Sequence, residues 1–182
     1  MDIGIISTRY AKALLRFAEE NRESDRVYAE MQALSDAFLR TESLRQALNS
    51  PVVPAAKKQT LLAAAAAGEE SPTQSSVRFF ELLVQNKRAD MAQFVAHAYI
   101  ERYRHSRNLV AARLVLAAPV SETTSDTLKQ VVEKRTHGTV EFQTTIDTKI
   151  GGGFVLEYDT YRLDASLKTQ LEKLHRSMRS QN

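Results

Sequence analysis

Up to about residue 105 the apolar residues recur at intervals of three and four. Beyond Asn108 they change to short runs and every-second-residue alternation. Few features constrain a fold more. The first period belongs to helices with one buried face, the second to strands. The chain therefore reads as mainly α: an N-terminal six-helix bundle over residues 1–105, then a small C-terminal α+β domain over residues 106–182.

Each helix has its own stripe and stop. Tyr10, Leu14, Phe17 and Ala18 share one face, and Asn21 ends the run. Val27, Met31, Leu34 and Phe38 mark a second helix, and Leu44 and Leu48 a short third. Pro51 and Pro54 break the chain there, and Pro54 suits the first turn of a fourth helix that ends at Gly68. Ser71-Pro72 is expected to open the fifth helix, through Val77, Phe80, Leu83 and Val84, closed by Asn86, Lys87 and Arg88. Asp90 is expected to cap the sixth, with Met91, Phe94, Val95, Ala98 and Tyr103. Short loops between short helices make a bundle.

The second region reads strand, helix, strand, hairpin, helix. LVAARLVLAAP is a strand stopped by Pro119, and SETTSDTLKQVVEKRTHG a helix with Leu128, Val131 and Val132, ended by Gly138. TVEFQTTID alternates, with Val140, Phe142, Thr144 and Ile146 on one side. GFVLEYDTYRLD is a hairpin, and the last helix aligns Leu167, Leu171, Leu174 and Met178.

Composition narrows the chemistry. The chain contains no cysteine, which excludes disulfides, thiolate metal sites and a cysteine nucleophile. No apolar run approaches the ~20 residues of a membrane-spanning helix, so direct membrane insertion is not expected. The N-terminus has neither signal-peptide nor transit-peptide character. Residues 1–105 carry 14 Lys+Arg against 13 Asp+Glu, and residues 106–182 carry 11 against 9. Neither half is a basic stripe, and nucleic acid is not expected as a partner.

Half of the six glycines fall in KIGGGFVL, residues 149–156. A phosphate-binding loop needs Lys-Ser/Thr and a helix after its last glycine. Here strand residues follow. The glycines read as a turn or bulge needing positive φ, or as a point where another backbone comes close. His97, His105, His137 and His175 have no metal-ligand spacing, so no metal or cofactor is expected. Asp147, Asp159 and Asp164 lie near the glycines, yet each suits a turn or cap, with Asp164 at or just before the start of the last helix. Tyr99 and Tyr103 with Arg102 and Arg104 make a mixed basic and aromatic group, expected at a seam between the two domains. Phe79 and Phe80 are adjacent and cannot face the same way on a helix.

Four segments carry a resemblance: RYAKALLRFA; LNSPVVPAAKK; VRFFELLVQNKR; and IDTKIGGGFVLEYDTYRLDASLKTQLEKL, where an I-x-GG-F-V-L strand leads to D-x-S-L-x-x-Q-L. In this order and spacing they resemble the delta subunits of bacterial F-type ATP synthase, homologues of the mitochondrial oligomycin-sensitivity-conferring protein. One departure is local. The family often has Gly-Asp in the hairpin where this chain has Asp159 and Thr160, and a β-branched residue is poor at positive φ.

The resemblance implies a non-catalytic stator subunit without cofactor, one copy per complex, at the cytoplasmic face of the bacterial cell membrane. It would tie the catalytic head to the b subunits of the peripheral stalk and resist rotation, so that proton flow drives ATP synthesis. The bundle would bind the N-terminal helix of an alpha subunit in a groove between the first and fifth helices. Carried over, that groove draws on Tyr10, Ala11, Ala13, Leu14, Phe79, Leu82 and Leu83. These are equally residues that a bundle buries, Tyr10 and Leu14 above all. The C-terminal domain would contact the stalk, with Lys173, Arg176 and Arg179 as the expected residues. Two rival readings follow from the residues alone: a small enzyme built on the glycine turn and its acids, or a helical nucleic-acid binder.

Overall fold

The computed structural model describes residues 3–68, 70–120, 122–136, 138–158 and 160–179. His137 and Asp159 lie outside these, as do the side chains of Leu174, Met178 and Arg179. The chain divides between Ser106 and Arg107 into two compact units.

The first unit holds α1 (Ile3–Glu20), α2 (Ser24–Arg40), α3 (Glu42–Asn49), α4 (Ala55–Ala67), α5 (Gln74–Gln85) and α6 (Ala92–Ser106). α6 runs along both α1 and α2, and α4 packs between α2 and α5. α1 buries Ser7, Ala11, Leu14 and Ala18, one residue per turn. The two alanines leave room for α6 to come close. α2 buries Val27, Met31, Leu34 and Phe38, the stripe expected of it.

The ends of α1 and α5 are built alike. Arg22 takes φ 58° and Lys87 φ 56°. In α1 the Glu23 and Arg22 N–H groups donate to the Ala18 and Glu19 carbonyls at 2.8 and 3.1 Å. In α5 the Arg88 and Lys87 N–H groups donate to Leu83 and Val84 at 2.8 and 3.0 Å. Both are left-handed caps that satisfy the last carbonyls of a helix. Asn21 and Asn86 thus stand one residue before the turn itself.

Several local expectations need correction. Pro54 is the residue before α4, with extended backbone, not its first turn. α5 starts at Gln74, not at Ser71-Pro72, because the Thr73 hydroxyl accepts from the Ser76 N–H at 3.3 Å and fixes the cap there. Asp90 lies inside a 3₁₀ turn, Ala89–Met91, ahead of α6. Phe94 and Val77 fall off the buried stripes and are 49% and 43% exposed.

The second unit holds β1 (Leu109–Leu116), α7 (Glu122–Thr136), β2 (Thr139–Ile146), β3 (Phe154–Tyr158), β4 (Tyr161–Asp164) and α8 (Leu167–Arg179). Its sheet has the order β2-β1-β3-β4, with β1 and β2 parallel and the other pairs antiparallel. A parallel pair needs a crossover, which α7 supplies. Ala112, Leu114 and Leu116 alternate inward from β1 and meet Val132, Val140, Leu156 and Tyr158. The expected alternation of β2 fades along the strand: Val140 is buried and Phe142 half-buried, while Thr144 and Ile146 are exposed. β2 is an edge strand, and its far end runs alongside Leu114 and Leu116 of β1 without its own side chains joining the core cluster. Val131 also points outward, whereas its neighbour Val132 is buried.

Candidate partner-binding surfaces

The glycine run is a fastener rather than a ligand loop. Asp147 accepts from the Lys149 N–H at 2.9 Å and caps a 3₁₀ turn, Thr148–Ile150, which Gly151 ends at φ 75°. Gly153 also has φ 75°, and a Cβ built there would lie 2.2 Å from the Ala165 carbonyl oxygen. That close approach lets the Ala165 N–H reach the Phe154 carbonyl at 2.9 Å and the Leu167 N–H reach Gly152 at 3.0 Å. Asp164 completes the arrangement. It accepts from the Ser166 N–H at 3.0 Å, the Ser166 hydroxyl at 2.6 Å and the Thr169 hydroxyl at 3.0 Å. Ser166 itself caps α8, accepting from the Thr169 N–H at 3.3 Å. The Ser166 bonds, foremost among several, hold the Asp164 carboxyl below the usual carboxylate range. GGF and D-x-S-L are thus two halves of one knot, joining the start of β3 to the start of α8. Asp164 stands just before the cap, and Tyr158 pairs with Tyr161 across the hairpin.

The tyrosines of α6, expected at a seam, are interior to the first unit. Tyr99 and Tyr103 are 0% and 7% exposed. Tyr103 stacks on Tyr28 of α2 at 4.3 Å and donates to Asp25 at 2.7 Å. Tyr99 donates to the Ser24 carbonyl at 3.2 Å, and burial pushes its phenol pKa up. Arg104 donates to the Tyr28 hydroxyl at 2.8 Å. The group pins α6 to α2.

One polar feature escaped sequence reasoning. Glu30, buried on α2, accepts from the Thr73 N–H at 2.7 Å, from the Thr73 hydroxyl at 2.8 Å and from the Ser76 hydroxyl. Glu23 accepts from the Ser75 N–H at 2.9 Å, and its bonds to Ser75 lower its pKa. Glu30 of α2 and Glu23 just before it thereby hold the N-terminus of α5, where the helix dipole favours negative charge. The sequence signal was an acid in phase with the apolar stripe of α2, opposite nothing local.

The surface between α1 and α5 gathers the expected groove residues at two depths. Ala11, Leu14, Phe79 and Leu83 are interior. Tyr10 is half-buried, its ring edge-on to Phe79 at 6.3 Å, while Ala13 and Leu82 are exposed. Arg88 lies over the Tyr10 ring, and Arg78 over Phe17. In the second unit, Leu167 and Leu171 of α8 are 48% and 56% exposed, one turn apart, followed by exposed Lys173 and Arg176. Of the histidines, His97 lies 3.4 Å from the Ser35 hydroxyl, and His105 and His175 are exposed. Among the described residues, no His, Cys, Asp or Glu group is arranged to hold a metal ion, and no helix is long and apolar enough to cross a membrane.

The family model described as "ATP synthase delta (OSCP) subunit" matches residues 6–178. The chain belongs to that family. Among its relatives, ATP synthase subunit delta of Phocaeicola vulgatus is 42% identical over 182 residues, spanning 100% of this chain and 98% of that protein. The Bacteroides fragilis protein of the same name is 35% identical over the same span. That of Synechococcus sp. (strain WH7803) is 34% identical over 178 residues, 97% of this chain and 96% of its own. A chain in the cryo-EM structure of the Toxoplasma gondii mitochondrial ATP synthase hexamer shares the fold. It has a TM-score of 0.63 and 21% identity, covering 94% of this chain and 96% of that one.

The protein is accordingly a non-catalytic subunit of ATP synthase with a stator role, and its partners are those of a membrane-associated complex. The rival readings lose their footing. Asp147 and Asp164 are engaged as caps, and Tyr99 and Tyr103, the aromatic part of the mixed group on α6, are buried.

Proposed function

We propose that the first unit, Met1–Ser106, binds the N-terminal helix of the ATP synthase alpha subunit along α1 and α5. On this reading the second unit, Arg107–Asn182, contacts the b subunits of the peripheral stalk. A part that holds the head against rotation needs two surfaces, one for each body it joins. Each unit offers one. The observation that carries the first assignment is the depth of the groove residues: Ala13 and Leu82 face outward over an interior floor of Ala11, Leu14, Phe79 and Leu83. A small residue beside a large apolar one suits an amphipathic helix lying in a groove. The second assignment rests on α8, whose Leu167 and Leu171 remain exposed beside Lys173 and Arg176. One copy acts per complex, at the cytoplasmic face of the bacterial cell membrane.

The test is binding of a fluorescent peptide of the alpha subunit's N-terminal segment to the full chain, with Leu82→Asp as the variant. Micromolar or tighter binding, lost in Leu82→Asp with the fold intact by circular dichroism, supports the assignment. Equal binding by both proteins defeats it.

A further inference from the structure

The surface between α1 and α5 carries more than apolar docking requires. The Arg78 guanidinium lies 5.9 Å from the Phe17 ring centroid, and that of Arg88 5.6 Å from the Tyr10 centroid. The two helices run antiparallel, since Tyr10 meets Phe79 while Asn21 meets Ser75 further along. The arginines therefore stand toward opposite ends of the groove, beside residues two helical turns apart, or about 10 Å.

Neither guanidinium makes an ion pair or side-chain hydrogen bond among the described residues. Contact with a ring restrains a guanidinium while leaving its N–H edge free to donate. Holding the side chain beforehand lowers the entropy lost when a carboxylate arrives. The surroundings add to this. Arg9 and Arg16 lie on the flank of α1 that carries Ala13, where Glu20 is the one acid among the described residues, and Glu81, one turn on from Arg78 in α5, accepts from the Gln85 side chain at 3.3 Å.

We propose that Arg78 and Arg88 are carboxylate-recognising groups, and that the helix docking in this groove carries two acidic side chains about two turns apart. This rests on the docking reading above and adds the chemistry of the partner. The arginines set orientation and register, and the apolar floor supplies burial.

The experiment measures anisotropy of the alpha-subunit N-terminal peptide on the full chain in a double-mutant cycle. One arm is Arg78→Gln/Arg88→Gln. The other is the same peptide with its Asp and Glu changed to Asn and Gln. Each change alone should weaken binding about 10-fold or more, and both together no further than either. Raising salt from about 50 to 500 mM should weaken the wild-type complex and leave the Gln variant nearly unmoved. Arg78→Lys/Arg88→Lys should keep that salt dependence. Unchanged affinity of the neutralised peptide for wild-type protein, a measurement independent of any variant's folding, overturns the inference, as do losses that simply add. If this occurs while Leu82→Asp still abolishes binding, the docking reading stands and only the carboxylate chemistry falls. If Leu82→Asp also binds unchanged, both fall.

Discussion

The two units fix their helices by different means. In the first, side chains from one helix satisfy the ends or hydroxyls of another: Glu30 and Glu23 reach across to α5, and Tyr103 reaches from α6 to α2. In the second, the last helix is tied on by backbone geometry, through Gly153, Ala165, Leu167 and the Asp164–Ser166 pair. The first mode spreads stability over many buried contacts. The second concentrates it at one crossing, leaving Leu167 and Leu171 of α8 outside any core. A helix attached mainly at its base leaves its apolar stripe exposed.

The harshest test of this contrast is Gly153→Val. It forces a side chain into positive φ and onto the Ala165 carbonyl, so a loss of about 3 kcal/mol or more is expected. Hydrogen exchange should show lost protection over residues 107–179 with α1 to α6 retained. Equal loss in both units would erase the distinction.

Glu30→Leu strikes the first unit. It leaves the Thr73 N–H and two hydroxyls without their acceptor, at a cost of about 2–3 kcal/mol by urea unfolding. Here protection should fall around α2 and α5 while the sheet is unchanged.

Asp164→Asn is milder, about 1 kcal/mol at neutral pH, since an amide oxygen still accepts but without charge. The pH dependence fixes its origin. Asp164 has a depressed pKa in the folded protein, so its charge contributes stability above the unfolded value of about 3.9 and loses it as pH falls through the folded value. The gap between wild type and variant should be flat from pH 5 to 8 and close below about pH 4. A gap that persists in acid would assign the effect to shape rather than charge.

Leu167→Asp/Leu171→Asp should move stability least, within about 0.5 kcal/mol, because neither side chain joins a core. The same variant should lose capture by b subunits. A large drop in melting temperature would show that the stripe supports the fold after all.

The helix stripes were legible because burial within one helix depends on local period, as Leu14, Met31 and Leu34 illustrate. The turn at the glycines was legible too, because few backbones need three glycines before a strand. Helix starts were not. Thr73 and Ser166 are chosen by bonds that their hydroxyls make once the chain has folded, and Ser71-Pro72 looked as good on paper. Glu30 was hidden for a stronger reason: its partner Thr73 lies 43 residues away. Period alone also placed Phe94 and Val77 inward, although both stay nearly half exposed. Between α1 and α5, periodicity did not separate the residues that lie interior, such as Ala11 and Phe79, from those that face outward, such as Ala13 and Leu82. That distinction depends on how far apart α1 and α5 sit.

The central position of β1 bears on how the chain is made. Its two neighbours in the sheet are β2 and β3, both synthesised later, so the first strand translated waits for residues out to 158 before both sides are complete. At about 5–20 residues per second that wait lasts seconds, while the helices before Ser106 already have all their partners. Until then β1 leaves the ribosome with two bare edges and a Leu- and Val-rich face, the stretch of nascent chain most in need of shielding.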